Sequence, residues 1–320
     1  MKRCPLKLVP VPREVIWGGT KLKEKYGKKA PFDRIAESWE LTVRKDAVCR
    51  IDGGTYDGML LSDYLAAAGL DDVSPDWNGV HFPLLIKWID AGDDLSVQVH
   101  PDDEYAHLHE NDSGKTELWY VAEAEPGARI IYGLLPGVSK TDFQRFLRED
   151  PAHLSALLRS VPVHAGDVYF IPAGQVHALG RGIVVAEIQQ NADITYRIDD
   201  YGRRQKDGSM RELHLDKAKD VVCPRSDAEV RALQFARGND ENTLASCYAF
   251  RVRRYTAADM PVPLNVAEES FATLLCTDGI GEIKHEGDIY AVQKGDCFFI
   301  PAGTGNVTLR GAIDVLITTL

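Results

Sequence analysis

No Cys-x-x-Cys pair occurs in this chain of 320 residues, whose six cysteines are scattered at 4, 49, 223, 247, 276 and 297. Such spacing argues against a disulfide framework and reads as reduced thiols in a cytoplasmic protein. No apolar run approaches the roughly 18 residues of a membrane-spanning helix, so no membrane crossing is expected. The N-terminal stretch MKRCPLKLVPVPREV is interrupted by lysine and three prolines and does not read as a secretion signal. Basic residues are in the minority, 37 Lys and Arg against 48 Asp and Glu, for a formal charge of -11. That balance argues against nucleic acid and anionic membrane surfaces as partners. A G-x4-G-K-[ST] phosphate loop is missing too, which disfavours a nucleotidyltransferase.

What is present is ample apolar material, 44% of residues, in a chain long enough for two domains. Short apolar stretches with period-two alternation recur at 36–43, 84–89, 95–99, 118–121, 129–132, 168–171 and 184–188, each bounded by Gly, Pro, Asp or Asn. Helical periodicity is confined to 60–68, to 101–109 with Pro101 at its first position, and to 139–158, split at Pro151. The strongest signal is a repeat. Gly166-Asp167-Val168-Tyr169-Phe170-Ile171-Pro172-Ala173-Gly174 returns as Gly295-Asp296-Cys297-Phe298-Phe299-Ile300-Pro301-Ala302-Gly303, which implies two related β domains. A seam near Pro224-Arg225-Ser226 divides the chain into 1–224 and 225–320.

The shape G-x5-P-x-G-x2-H is the second sequence motif of cupin barrels, the double-sheet jelly rolls. The expected fold is therefore mostly β, two cupin barrels with a few helices in or on the first. The final motif position is His177 in the first copy and Asn306 in the second. Gln98 and His100, two apart on a strand, can converge on one face, and Lys115 and Glu117 repeat that spacing. With His177, the set Gln98, His100, Glu117 and His177 suits a catalytic Zn²⁺ that keeps room for water or substrate.

At this level the chain resembles the type I mannose-6-phosphate isomerases in their shorter bacterial form. The matching segments are Trp17-Gly18-Gly19, Glu37-Ser38-Trp39-Glu40-Leu41, 83–88, Ser96-Val97-Gln98-Val99-His100-Pro101, 114–120, 171–177 and 187–203. The large helical insertion of longer members is absent. The resemblance implies one Zn²⁺ per chain on Gln98, His100, Glu117 and His177, with Lys87, Lys115, Glu187, Asp193 and Arg197 lining a phosphosugar cleft. Lys87 is odd in its own right, a charge inside Pro-Leu-Leu-Ile-Lys-Trp-Ile; it needs a partner, a function, or a place on an edge strand. Glu187, Gln189, Asn191, Asp193, Thr195 and Arg197 would share one face if their strand were continuous.

The implied reaction interconverts mannose 6-phosphate and fructose 6-phosphate through a cis-enediolate. It needs a base near C1 and C2 and an electrophile for the developing oxyanion. Lys115 becomes a base if burial and a nearby dication lower its pKa, and Glu187 and Asp193 are rivals. Arg197 can clamp the phosphate or stabilise the enediolate. Two other classes compete: a non-haem Fe(II) oxygenase, which also uses two His and a carboxylate, and a non-catalytic sugar-binding cupin. Oligomeric state is not legible.

Overall fold

The structure, a computed structural model, describes residues 1–69, 72–75, 77, 81–226, 228–230 and 241–320. Among these residues the chain is built from antiparallel strands in three large sheets. A six-stranded sheet runs in the order Val168–Ile171 (β12), Glu117–Ala124 (β9), Ile183–Gln190 (β14), Leu84–Asp90 (β7), Glu37–Leu41 (β3), Val11–Arg13 (β2). Opposite it stand Leu158–Pro162 (β11), Arg129–Leu134 (β10), His177–Leu179 (β13), Val97–Val99 (β8) and Tyr196–Asp199 (β15). A nine-stranded sheet joins Thr243–Ser246 (β16), Arg251–Ala257 (β17), Gly305–Thr319 (β22), Ala272–His285 (β19), Cys297–Ile300 (β21), Leu6–Val9 (β1) and Arg50–Ile51 (β6). Val262–Val266 (β18) pairs β22 and Asp288–Gln293 (β20) pairs β19, while Val43–Arg44 (β4) and Ala47–Val48 (β5) form a separate hairpin.

The near-continuous apolar runs of β7 and β14 are explained by burial on both faces, since every residue of each is buried. On one face Trp119, Val121 and Val185 pack with Ile130, Tyr132 and Leu179 of the five-stranded sheet. On the other, Ile86, Trp88 and Ile188 meet Phe299 and Leu316 of the nine-stranded sheet and Phe250 and Phe271 just before its strands β17 and β19. The first barrel's interior therefore lies between the six- and five-stranded sheets.

The repeat is visible in three dimensions. β12 pairs antiparallel with β9, and β21 with β19. The flanking glycines match as well: Gly166 and Gly295 have φ of 90° and 93°, a left-handed backbone that disfavours a side chain. At Gly295 a Cβ would also fall 2.5 Å from the Tyr26 carbonyl oxygen. The first strand β1 lies on the far side of the seam expected at 224, for it pairs β21 on one edge and β6 on the other.

Helices follow the local rules with one correction. Lys140–Glu149 is opened by a Ser139/Asp142 capping box, and a 3-10 stretch, Pro151–Leu157, follows it. Leu61–Ala68 stops at Gly69. Asp103–His109 starts later than expected, because Asp102 takes the cap and accepts from the Tyr105 N–H; Pro101 thus precedes the cap instead of opening the helix. Two short helices, Lys21–Tyr26 and Leu215–Val221, carry no signal strong enough to be expected.

Candidate metal centre and cleft

The metal-ligand candidates come together. His100 follows directly on β8, Glu117 opens β9 and His177 opens β13. One donor atom from each of His100, Glu117 and His177 lies within 4.8 Å of the others, and all three residues are buried. Glu117 Oε1 stands 3.3 Å from His177 Nε2, and Oε2 stands 3.6 Å from His100 Nε2. Each imidazole is tied back to a carbonyl, His100 Nδ1 to Ile194 at 2.7 Å and His177 Nδ1 to Gln175 at 2.8 Å. A carbonyl only accepts, so Nδ1 donates in both rings and each Nε2 presents its lone pair to the cluster. Gln98 sits directly opposite His177 in the β8–β13 register.

This donor set fits a divalent metal. His177 Nε2 and Glu117 Oε1 are buried without a hydrogen-bond partner, a costly arrangement unless something else binds them, and Glu117 Oε2 has the Lys115 ammonium. Burial pushes His177 down to about 4, and burial followed by the Lys115 and His177 charges holds His100 well below the usual histidine range. Both rings are therefore neutral, as metal ligands must be.

The cluster borders a cleft of about 480 Å³ whose wall includes Gln98, Lys115, Lys87, Glu187, Asp193 and Arg197. A cross-strand row builds one side: Trp39 on β3 faces Lys87 on β7, Lys87 faces Glu187 on β14, and Glu187 faces Trp119 on β9. β7 lies inside its sheet, between β3 and β14, which overturns the edge-strand reading of Lys87. Lys115 precedes β9, yet its ammonium reaches Glu117 Oε2 at 3.0 Å, His100 Nε2 at 3.3 Å and Glu187 Oε1 at 4.0 Å. Burial acts to raise the Glu187 carboxyl, but the Lys115 and Lys87 ammoniums and the Trp119 indole N–H outweigh it and hold it low. Glu117 moves the other way, raised by burial and then by the Glu187 charge.

The expected polar face at 187–197 needs correction. β14 ends at Gln190 and β15 begins at Tyr196, so no continuous strand joins them. Gln189 instead turns its amide onto the Gln190 and Ala192 carbonyls, and Asn191 donates to the Phe82 carbonyl. Asp193 sits on the exposed rim and Arg197 reaches into the cleft, donating to Ser96 Oγ at 3.3 Å and the Glu212 carbonyl at 2.8 Å. Glu37, Trp39, Arg13 and Arg211 also line the cleft; the sequence marks Glu37 and Trp39 only as part of a segment that matches the family, and gives no sign of Arg13 or Arg211. A larger cavity of about 630 Å³ near Trp77 and Phe82 holds no metal-ligand cluster among the described residues.

Comparison with known proteins agrees with this geometry. Residues 6–126 match the family model for the phosphomannose isomerase type I catalytic domain, and residues 241–320 match the mannose-6-phosphate isomerase cupin domain. The chain is 35% identical to the mannose-6-phosphate isomerase ManA of Bacillus subtilis, covering 99% of both chains. It is 34% identical to a mannose-6-phosphate isomerase of Streptococcus mutans, over 98% of this chain and 97% of that one. The crystal structure of mannose 6-phosphate isomerase from Bacillus subtilis superimposes with a TM-score of 0.87 at 32% identity, covering 99% of each chain. Neither the oxygenase nor the non-catalytic sugar-binding alternative is favoured by these relatives.

Proposed function

The chain belongs to the type I phosphomannose isomerases, and on that premise we propose that it interconverts mannose 6-phosphate and fructose 6-phosphate with the aid of one Zn²⁺. The observation that carries this reading is the buried trio of His100, Glu117 and His177 beside a cleft whose charged lining includes Lys87, Lys115, Glu187 and Arg197. Gln98 completes the proposed ligand set. When bound, Zn²⁺ supplies a Lewis acid for the sugar's carbonyl and hydroxyl oxygens.

The chain's own residues do the rest. Glu187 Oε1, ionised and buried between two ammoniums, is placed to take or return the proton that moves between C2 and C1. Lys115 and Asp193 remain rival carriers. Lys115, wedged against Glu117 and Glu187, offers an ammonium to the oxyanion that develops beside the ligand cluster. Trp17, Trp39 and Trp119 wall the cleft with apolar surface that limits water.

A cytoplasmic setting goes with this reading, supported by six free cysteines. So does a division into a catalytic unit, 1–224, and a second unit, 225–320, with no ligand trio among its described residues, β1 and β6 lending strands to the second unit's sheet. A coupled assay with mannose 6-phosphate, run before and after chelation and again with zinc restored, tests the proposal. Activity that is absent throughout, or indifferent to chelation, overturns it.

A further inference from the structure

Lys87 stands between two carboxylates, 3.3 Å from Glu37 Oε2 and 3.5 Å from Glu187 Oε1. Each carboxylate is in turn held by an indole. Trp39 Nε1 donates to Glu37 Oε2 at 2.7 Å, and Trp119 Nε1 donates to Glu187 Oε2 at 2.9 Å. The Lys87 ammonium also lies 5.0 Å from the centre of the Trp39 ring. Lys87 and Glu187 are buried, while Glu37 retains 18% exposure on the cleft side.

Glu187 is approached by two ammoniums, Lys87 and Lys115, and Glu117 belongs to the ligand trio. Lys115 has a second carboxylate in Glu117, 3.0 Å away, whereas Lys87 without Glu37 would be left to share Glu187 with Lys115, with Asp193 beyond it on the exposed rim; a buried ammonium short of a counter-ion gives up its proton. We propose that Glu37 is a positioning residue for the isomerisation: braced by Trp39, it gives Lys87 its own counter-ion and fixes that ammonium at the cleft wall as a cation facing the substrate. This rests on the isomerase reading. It makes Lys87 an electrostatic partner of the negative charge that builds on the sugar.

Lys87 faces charged groups on three neighbouring segments. Glu37 approaches from β3, Glu187 from β14 and Asp193 from the segment before β15, with Lys115, Glu117 and His100 farther off. Burial works against the charged form, but Glu37 first, then Glu187 and Asp193, outweigh it and hold Lys87 above the ordinary lysine value.

The test uses Glu37→Gln in the zinc-loaded full chain, since the amide keeps an acceptor for Trp39 and removes only the charge. Zinc content and Tm are measured alongside. Expected are a fall in kcat of about tenfold or more with KM changed less than roughly threefold, and an alkaline limb of the kcat profile displaced to lower pH. Because the two residues act as a unit, Glu37→Gln combined with Lys87→Met should be no slower than Lys87→Met alone. Glu37→Asp, which keeps the charge, should recover part of kcat. Independently of activity, the ¹³Cε resonance of Lys87 should not titrate below pH ~10.5 in the native protein and should do so in Glu37→Gln. An unmoved pH profile with multiplicative single-mutant effects, or a Lys87 resonance indifferent to Glu37→Gln, overturns the proposal. If the native protein does not isomerise mannose 6-phosphate, the functional reading fails, and the resonance still decides whether Glu37 sets the charge on Lys87.

Discussion

Lys28 places its ammonium 2.7 Å from Glu40 Oε2 and 2.6 Å from the Gly295 carbonyl oxygen, with both ionic side chains buried. Glu40 occupies the bulge where the β3–β7 pairing steps from Trp39↔Lys87 to Leu41↔Ile86. Gly295 opens the second copy of the repeated turn. The ion pair therefore ties the strand that carries Glu37 and Trp39 to the sheet of the second unit.

Breaking this pair from one side should be expensive. Lys28→Met leaves a buried carboxylate uncompensated and is expected to lower the unfolding free energy by about 3–5 kcal/mol. Lys28→Met with Glu40→Leu removes both charges and should recover most of that loss. Denaturant unfolding of the two variants measures the difference; equal losses would show that the pairing itself contributes nothing.

Metal content should be asymmetric between the two repeats. His177→Ala is expected to abolish zinc binding and activity, whereas Asn306→Ala should leave one zinc per chain. Asn306 is exposed and offers its backbone carbonyl to His285 Nδ1 at 3.2 Å, and the second unit has no ligand trio among the described residues. Two tightly held equivalents in the purified protein would contradict this.

Acid should destabilise the chelated protein over a defined window. His177 has a folded value near 4 because burial penalises its charged form, against an ordinary value of 6.5. The unfolded chain takes up this proton below pH ~6.5 while the native state resists until about 4, so stability falls as pH falls between them, by roughly 3 kcal/mol for this residue. His100 shifts in the same direction and adds to the loss. Unfolding curves of chelator-treated protein across pH 7 to 4 should show the decline, and His177→Ala should flatten it.

Arg197 distinguishes two forecasts. Its guanidinium is held by neutral acceptors, Ser96 Oγ and the Glu212 carbonyl, which leaves its charge available to an anion. If it stabilises the enediolate, Arg197→Lys should lower kcat strongly with little change in KM, because a point charge cannot reproduce the planar fork. A rise in KM with kcat kept would identify a phosphate clamp instead. The first outcome is expected.

The repeated G-D…P-x-G unit made the two-barrel architecture legible, because a strand bounded by left-handed glycines needs those residues at those positions. The ligand trio was legible for a similar reason: His100, Glu117 and His177 carry chemistry that a packed β interior does not otherwise require. Glu37 was hidden. Its importance comes from register, which sets Trp39 beside Lys87 and brings Glu37 within reach of the same ammonium, and spacing along one strand does not reveal its neighbour. The break between Gln190 and Tyr196 leaves no mark in the spacing either. Odd numbering continued through it, while Gln189 and Asn191 spent their amides on backbone carbonyls and turned the chain.

The place of Leu6–Val9 has a consequence for the order of synthesis. This strand is made first, yet β21, its partner along Leu6↔Phe299 and Lys7↔Phe298, is among the last segments to leave the ribosome. Until then its N–H and C=O groups on that edge have water for partners, and a nascent chain offers them to any neighbour. A polypeptide ending before residue 225 would keep that edge open permanently. One starting there would present β21 with nothing on its outer side. Mixing a synthetic peptide spanning residues 1–14 with the latter fragment would supply the missing rail, as one strand clicking into a groove already cut for it.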